Sequence, residues 1–328
     1  MAILVTGGLG YVGSHAVKLL VDRGEKVISY DDLSYGHIGA AAGSEVVIGD
    51  IGDGEKLRRV MREHGVDSVM HFAAFASVPE SVAQPHKYYV NNISKSLVLL
   101  EAMLECGVKH MVFSSSAATF GEPSIVPIPE DHPKNPTNPY GRSKLMLEEI
   151  LSEYDTAYGL KSVSLRYFNA SGADPSGAIG EDHDPEHHLV PIVLQTALGQ
   201  REHVVIAGDD WDTPDGTCVR DYVHVTDLGQ AHLLALDSLR QEGSTSVYNM
   251  GSGKGYSVRE VVETARKVSG REIKAIIGPR RPGDPATLVA SSDKIKRELG
   301  WQPQFQDLET IIRTAWNWHK NHPNGYKE

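Results

Sequence analysis

The chain has 328 residues, which is enough to bury a substantial core and, at roughly 150 residues per domain, to form two domains. Its formal charge of −11, without a basic run, argues against a broad cationic surface, so we predict no nucleic-acid partner. Cys106 and Cys218 lie far apart in the sequence, without metal-ligand spacing or the pattern of a disulfide framework, which favours a reducing compartment. There is no long apolar segment or basic N-terminal flank. We therefore expect a cytoplasmic protein without a membrane span.

Apolar strands alternate with helical patterns through the first half of the chain. Helices are predicted from Gly10 to Arg23, near Glu55 to His64, from Ser81 to Glu105 and from Tyr140 onward. The strands predicted around them are AILVT, KVISYD, EVVIGD, DSVMHFAA, KHMVFSSS and KSVSLRYFN. This alternation predicts a parallel sheet covered by helices on both faces, which is a doubly wound α/β, or Rossmann, fold.

The alternation of strands and helices ends after Asn169. The next segment, ASGADPSGAIGEDHDPEHH, is rich in Gly, Pro and Asp, which is typical of a long functional loop. Beyond it, shorter strands (HVVIAG, EIKAIIG) mix with helices near Val225 to Leu239, Ser257 to Val268 and Asp307 to Trp318. We predict a Rossmann domain at residues 1–169 and a smaller mixed α/β domain at 170–328. Segments near 222–251 are expected to return to the first domain.

A glycine-rich turn, VTGGLGYVGSH, joins the first strand to the first helix. Gly7, Gly10 and Gly13 permit the tight turn and the close backbone approach that a pyrophosphate needs at a helix N-terminus. The second strand ends at Asp31, 18 residues after Gly13, where a carboxylate can accept hydrogen bonds from an adenosine ribose. Because that carboxylate repels a 2′-phosphate and no basic residue follows before Gly36, we predict NAD rather than NADP.

Three serines and a Tyr-x-x-x-Lys pair predict the active site. Ser114, Ser115 and Ser116 end the fifth strand, at the sheet edge where ligands bind in this class of fold. Tyr140 and Lys144 are four residues apart on the next helix, so their side chains share one face. We interpret Ser116, Tyr140 and Lys144 as the catalytic set.

The ordered glycines with Ser116, Tyr140 and Lys144 resemble the extended short-chain dehydrogenase/reductase superfamily. Within it, the chain is similar over essentially its whole length to the UDP-glucose 4-epimerase family, through the segments SLRYFNASGADPSGAIGEDHDPEHHLVP, DTPDGTCVRDYVHVTDL, YNMGSGKGYSV, RRPGDP and HPNGY. The resemblance implies NAD-dependent interconversion of UDP-galactose and UDP-glucose through a 4-keto sugar. Tyr140 would be the base that takes the proton of the sugar 4-hydroxyl, and Lys144 would lower the pKa of Tyr140. Ser116 would hydrogen-bond the same 4-oxygen of the sugar.

Further site residues follow only from matching positions in that family. The implied cofactor contacts are Gly7, Gly10, Tyr11, Val12, Gly13, Asp31, Asp50, Ile51, Phe72, Ala73, Ala74, Asn91, Ser114, Tyr140, Lys144 and Phe168. The implied substrate contacts are Ser116, Tyr140, Asn169, His188, Leu189, Arg220, Tyr222, Arg281, Asp284 and Leu288. The two arginines suit a diphosphate because a guanidinium donates paired, permanently charged hydrogen bonds.

Three departures from relatives bear on the ligands. His188 replaces an asparagine used by some relatives, and Ala76 replaces a lysine near the cofactor. Leu288 stands where some members carry a tyrosine, which predicts a wider sugar pocket that admits UDP-N-acetylhexosamines. The imidazoles of HDPEHH are interpreted as substrate lining rather than a metal site, because no paired cysteine or second ligand group accompanies them.

Other functions remain open on the sequence alone. The enzyme alternatives are epimerases of UDP-GlcNAc/UDP-GalNAc or another UDP-sugar, a uronate decarboxylase, and a 4,6-dehydratase, which Ala117 and Ala118 disfavour because a dehydratase commonly has an acidic pair there. A noncatalytic nucleotide-binding protein is the remaining alternative, since a fold alone does not establish a function. The resemblance also implies a homodimer formed through helices at 81–105 and 140–158.

Overall fold

The computed structural model describes residues 1–241, 243–281 and 284–327. Pro282 and Gly283 of the RRPGDP segment therefore lie outside the described residues. The strands are Ala2–Thr6 (β1), Val27–Asp31 (β2), Glu45–Ile48 (β3), Val66–His71 (β4), His110–Ser116 (β5), Lys161–Tyr167 (β6), Asn169–Ser171 (β7), Val204–Ala207 (β8), Val219–His224 (β9), Ser246–Met250 (β10), Gly255–Ser257 (β11), Ala275–Gly278 (β12) and Thr287–Leu288 (β13).

The helices alternate with these strands along the chain. They are Tyr11–Asp22 (α1), Gly54–His64 (α2), Val78–Ala83 (α3), Pro85–Tyr89 (α4), Lys95–Glu105 (α5), Pro139–Tyr158 (α6), Leu189–Ala197 (α7), Val225–Arg240 (α8), Val258–Ser269 (α9), Asp293–Leu299 (α10) and Leu308–Asn321 (α11). Short 3₁₀ turns occur at Ile38–Ala40 and Ala117–Thr119, and a π-helical turn at Val90–Ser94.

Seven parallel strands form the main sheet in the order β10-β6-β5-β4-β1-β2-β3. The chain reverses its direction of travel across the sheet between β1 and β4, which is where a doubly wound sheet binds its ligand. The prediction of a Rossmann fold is confirmed. Strand β10 lies at one edge of this sheet and α8 packs against α1, so β10 belongs to the main sheet and α8 to the helices that cover it.

Alternating residues of β1 point into cores on opposite faces of the sheet. Ala2 and Leu4 join a core with α2, α5 and α6, whereas Ile3 and Val5 join a core with α1 and α8. All four side chains are fully buried, as expected for a strand covered on both faces. A third core lies between α7, α9 and α11. Helices on both faces therefore hold the carboxyl edge of the sheet in a fixed position.

The predicted helix from Ser81 to Glu105 is wrong as a single helix. Gln84 leaves helical geometry, with φ −134° and ψ 60°, and Pro85 starts a new helix. A proline cannot donate the helical hydrogen bond and restricts the preceding residue to extended backbone. The segment therefore consists of α3, α4, the π-helical turn and α5.

Smaller sheets form the rest of the structure. Strand β9 pairs with β7, β11 and β13, and β8 pairs with β12. The sequence pattern predicts β8 and β12 but not the short strands around β9. Within the described parts of the chain, no helix is long and apolar enough to cross a membrane.

Candidate active site

Two positions in the turn after β1 must be glycine, each for its own steric reason. Gly7 has φ +70°, and a Cβ there would lie 2.6 Å from the backbone nitrogen of Ala73. A Cβ on Gly13 would lie 2.1 Å from the carbonyl oxygen of Gly7. Both contacts are too short for any side chain, so these two glycines are needed for the turn itself.

Gly10 differs from its two neighbours in the motif. It has φ −79°, and a Cβ there would meet only the Gly7 oxygen, at an ordinary 3.5 Å. The turn itself therefore does not require glycine at this position. Gly10 is the N-cap of α1 and places no side chain over the first amides of the helix. This open space at a helix N-terminus fits the pyrophosphate of a dinucleotide.

Asp31 lies beside the turn at the end of β2. One carboxylate oxygen accepts a 3.0 Å hydrogen bond from the Leu9 amide, and the other accepts one of 2.9 Å from the Leu33 amide. Burial raises the pKa of this carboxyl, and the two backbone hydrogen bonds oppose the rise. The carboxylate is thus fixed in direction beside the glycine turn.

The other predicted cofactor residues occupy the surrounding sheet edge. The amides of Phe72 and Ala73 donate to the Thr6 carbonyl, at 2.8 and 3.1 Å, and Ala74 follows them. The Asp50 carboxylate is paired with Lys95 at 2.5 Å, next to buried Ile51. The remaining predicted contacts lie in α1, in the π-helical turn and just after β6, at Tyr11, Val12, Asn91 and Phe168.

Tyr140 and Lys144 occupy the first two turns of α6. The Asn138 side chain caps this helix by accepting from the Gly141 amide at 2.9 Å, Pro139 occupies the first turn, and Gly159 ends it in a left-handed conformation. Tyr140 is half-buried, and its phenol lies near the Ser116 hydroxyl. The structure thus brings the predicted tyrosine and serine together.

Lys144 lies beneath this pair and is almost completely buried. Its Nζ donates a 2.7 Å hydrogen bond to the Ser114 carbonyl and lies 5.9 Å from the centre of the Tyr140 ring. Burial lowers the pKa of Lys144 to about 7, and the charge of Glu148 opposes this change. Burial also raises the pKa of Tyr140, and the Ser116 hydrogen bond opposes that change. Burial therefore disfavours the charged form of both groups.

A buried ion pair behind Lys144 was not predicted from the sequence. Glu148, one turn after Lys144, accepts from Arg166 Nε at 2.9 Å and from Arg166 Nη2 at 2.5 Å. Ser115 donates to the same carboxylate at 2.5 Å. The sequence feature that could have indicated Glu148 is the spacing of four residues from Tyr140 to Lys144 and from Lys144 to Glu148. This spacing places all three on one helix face. The pair joins α6 to β5 and β6 behind the reacting groups.

The small sheet around β9 carries four of the predicted substrate residues. Asn169 on β7 lies opposite Tyr222 on β9, and its side-chain amide donates to the Asp221 carbonyl at 2.9 Å. Arg220 on β9 lies opposite Leu288 on β13. This arrangement brings together residues from three distant parts of the sequence.

The other predicted substrate residues lie around that sheet. The guanidinium of Arg220 is 3.8 Å from the Asp284 carboxylate, and Arg281 is exposed in the segment just before it. His188 caps the N-terminus of α7, and Leu189 is the first residue of that helix. The structure thus places Arg220 and Asp284 side by side, while Arg281 extends into solvent.

The parallel sheet, the open glycine turn, and Ser116, Tyr140 and Lys144 at the carboxyl edge of the sheet define an extended short-chain dehydrogenase/reductase. A family model described as GDP-mannose 4,6 dehydratase matches residues 4–314. The UDP-glucose 4-epimerase of Halalkalibacterium halodurans is 56% identical over 99% of this chain and 98% of its own. The chain belongs to the UDP-glucose 4-epimerase family.

Solved structures agree with this family assignment. A crystal structure of a UDP-glucose 4-epimerase is 50% identical, with a TM-score of 0.98 and coverage of 100% of both chains. The Bifidobacterium longum UDP-glucose 4-epimerase, in complex with NAD+ and UDP, is 40% identical with a TM-score of 0.95. It covers 99% of this chain and 100% of its own.

Proposed function

We propose that this protein interconverts UDP-galactose and UDP-glucose by inverting carbon 4 of the sugar, with NAD as its cofactor. The observation that carries the proposal is the Tyr140 phenol, which lies near Ser116 and Lys144 at the sheet edge that also holds the glycine turn. The relatives named as UDP-glucose 4-epimerases support the substrate, and the relative that holds NAD+ and UDP supports the cofactor.

The glycine turn and Asp31 would hold NAD, with the pyrophosphate over the N-terminus of α1 and the adenosine ribose on the carboxylate. Bound there, NAD supplies the hydride acceptor for sugar carbon 4 and the donor that returns the hydride. A carboxylate at Asp31 that is fixed by two backbone amides suits a ribose diol and repels a 2′-phosphate, so we propose NAD rather than NADP.

Tyr140 would take the proton from the sugar 4-hydroxyl and later return it to the same oxygen, once the hydride has been added to the opposite face of carbon 4. The phenolate is costly in this half-buried position, so its formation needs a positive charge close by. Lys144, with a pKa near 7, can gain a proton as Tyr140 loses one, which stabilises the anion. Ser116 would hydrogen-bond the same sugar oxygen and hold it within reach of Tyr140.

The small sheet around β9 would hold the UDP portion of the substrate while the sugar rotates. Arg220 is mostly buried and its Nη1 donates to the Val219 carbonyl at 2.9 Å, which fixes the guanidinium for a diphosphate. Arg281, Asp284, Asn169 and Tyr222 would complete that grip. Because UDP stays bound, the 4-keto sugar can rotate and accept the hydride on its other face.

The width of the sugar pocket favours a second substrate class. Leu288 is shorter than the tyrosine of some family members and lies opposite Arg220 in the small sheet. We therefore propose that UDP-N-acetylhexosamines also enter the pocket. Comparable rates with UDP-GlcNAc and UDP-glucose would support this proposal, and a large preference for UDP-glucose would contradict it.

The assembly and the division into domains are also proposals. We propose that residues 1–169, with α8 and β10, form the NAD domain, and that most of residues 170–328 bind the UDP-sugar. We further propose a cytoplasmic homodimer through α3–α5 and α6, which is supported by exposed apolar side chains there: Val82 is 63% exposed and Leu97 is 38% exposed. Sedimentation equilibrium of the purified chain tests the dimer.

The direct test of the activity is to incubate purified protein with UDP-galactose and to follow UDP-glucose by chromatography, with and without added NAD. Tyr140→Phe is the matched variant because it removes only the phenolic oxygen. We expect conversion by the wild type and a loss of several orders of magnitude in the variant. Absence of conversion of UDP-galactose, UDP-GlcNAc and UDP-glucuronate would instead favour a noncatalytic nucleotide-binding protein.

A further inference from the structure

The loop between β7 and α7 assembles two imidazoles and two carboxylates around one point. One ligand atom each of Glu181, His183, Glu186 and His188 lies within 4.8 Å of all the others. The closest pairs are His188 Nδ1 to Glu181 Oε1 at 2.6 Å, His188 Nδ1 to Glu186 Oε1 at 3.3 Å, and His183 Nδ1 to Glu181 Oε1 at 3.4 Å. In a tetrahedral zinc site with bonds of about 2.0–2.1 Å, ligand atoms lie roughly 3.4 Å apart.

The carboxylate of Glu181 is buried, and its Oε1 atom faces both imidazoles without a well-aligned hydrogen bond. The residue is 3% exposed, and within the described parts of the chain its Oε1 atom accepts no hydrogen bond, although His188 Nδ1 is 2.6 Å away. His183 Nδ1 likewise makes no hydrogen bond there. These donor atoms converge without the alignment of N–H and acceptor that a hydrogen bond requires. When the imidazoles are unprotonated, nitrogen and oxygen lone pairs converge here, which is the arrangement that a metal ion needs.

Two buried carboxylates this close together need compensating positive charge. In this structure His183 and His188 lie 2.6 to 3.6 Å from them and neutralise both when protonated. Glu186 is only 7% exposed, and its Oε1 atom accepts from the backbone amides of His187 and His188, each at 2.7 Å. These two bonds orient the carboxylate but leave its negative charge in place. One divalent cation that displaces the two imidazolium protons would leave the imidazoles neutral and balance both carboxylates equally well.

The backbone around the cluster is held in position by the C-terminal helix and tail. Trp318 Nε1 donates to the Glu181 carbonyl at 3.1 Å, and the Tyr326 hydroxyl bonds with the backbone of Gly180. A cavity of about 90 Å³, lined by Glu181, His183, Glu186 and residues of α11 and the tail, opens beside the cluster. The site therefore has rigid support and room for an ion with a water.

We propose that Glu181, His183, Glu186 and His188 bind one divalent transition-metal ion, for which Zn²⁺ has the most suitable ligand preference. A set of two imidazoles and two carboxylates favours this class over Mg²⁺, which prefers oxygen ligands alone. The ion fixes the loop that leads into α7, which carries His188 and Leu189 of the proposed substrate wall. From the sequence, the imidazoles of this loop are interpreted as substrate lining, because no second group of ligands is recognisable there. In the structure Glu181 and Glu186 supply that second group.

Zinc binding by the full chain tests this proposal without any activity assay. Protein treated with EDTA is titrated with Zn²⁺ by calorimetry, and bound zinc is then counted by elemental analysis after desalting. We expect about one Zn²⁺ per chain, no saturable binding of Mg²⁺, and a rise in the melting temperature on adding Zn²⁺. His183→Gln and Glu181→Gln should each weaken Zn²⁺ binding by at least about 10-fold.

His187→Gln is the matched control, because His187 lies in the same loop but is exposed and outside the cluster. It should bind Zn²⁺ like the wild type. Equal affinity in wild type and His183→Gln, or equal losses in His187→Gln and His183→Gln, would overturn the proposal.

X-ray absorption of the zinc-loaded wild type keeps the test valid if a variant does not fold. Two imidazoles and oxygen ligands are expected around the zinc. A zinc shell without imidazole, or no stoichiometric binding by the wild type, would overturn the proposal.

Discussion

Removing the charge of Glu148 is expected to destabilise the protein strongly. Its carboxylate accepts from Arg166 at 2.9 and 2.5 Å and from Ser115 at 2.5 Å, and Arg166 is only 2% exposed. Glu148→Gln keeps the shape of the side chain but leaves a buried guanidinium without its counter-ion. Breaking a buried pair in this way costs about 3–5 kcal/mol, a large share of a typical stability of roughly 5–15 kcal/mol.

Urea denaturation, followed by circular dichroism and tryptophan fluorescence, measures this effect. Glu149→Gln is the control, because Glu149 is exposed on the next position of the same helix and should change the free energy of unfolding by at most about 0.5 kcal/mol. Arg166→Met should also destabilise, while Glu148→Gln combined with Arg166→Met should cost much less than the two single changes together. A Glu148→Gln variant as stable as Glu149→Gln, or strictly additive single changes, would refute the reasoning.

Three further changes separate cofactor binding, electrostatics and specificity. Gly10→Ala should weaken NAD binding, measured by calorimetry, while preserving the melting temperature, whereas Gly7→Ala should lower the melting temperature because of its φ of +70° and the contact with Ala73. Burial lowers the pKa of Lys144 to about 7, so between that pH and about 10 the unfolded chain holds a proton that the folded chain lacks. In that range the stability of the cofactor-free wild type should rise, relative to Lys144→Met, by up to about 1.4 kcal/mol per pH unit in urea titrations. Leu288→Tyr should lower kcat/KM for UDP-GlcNAc relative to UDP-glucose by at least about 10-fold in coupled assays.

Each of these expectations has a clear contrary result. Equal NAD affinity in wild type and Gly10→Ala would show that the open space over α1 is not the pyrophosphate site. Parallel curves of stability against pH for wild type and Lys144→Met would contradict the lowered pKa. An unchanged ratio of the two kcat/KM values in Leu288→Tyr would remove this residue from the sugar pocket.

The main sheet was predictable because its signals are local. Each strand is a short apolar run, each helix has its own start and stop residues, and the glycine turn fixes the order of the first βαβ unit. The division of the segment 81–105 was also readable, since Pro85 cannot continue a helix, but the apolar periodicity on either side obscured it. Tyr140 and Lys144 were found because four residues make one helical turn.

Contacts between distant segments were not predictable in the same way. Arg166 reaches Glu148 only because β6 packs beside α6, and neither residue type is unusual in its own segment. The strands β7, β9 and β13 are too short to show an alternating pattern, so their pairing depends on the rest of the fold. In the cluster around Glu181, the spacing of ligands follows from a loop conformation that the printed residues do not encode locally.

The central claim is that a hydride leaves carbon 4 of the sugar and returns to the same carbon, with Tyr140 moving the proton. Conversion of UDP-galactose deuterated at carbon 4 tests it most directly, with the product analysed by NMR and mass spectrometry. The account predicts that UDP-glucose formed in H₂O keeps the deuterium at carbon 4. Unlabelled UDP-galactose converted in D₂O should gain no deuterium at carbon, and Tyr140→Phe should form no UDP-glucose. Loss of the label to water, or undiminished turnover by Tyr140→Phe, would contradict it.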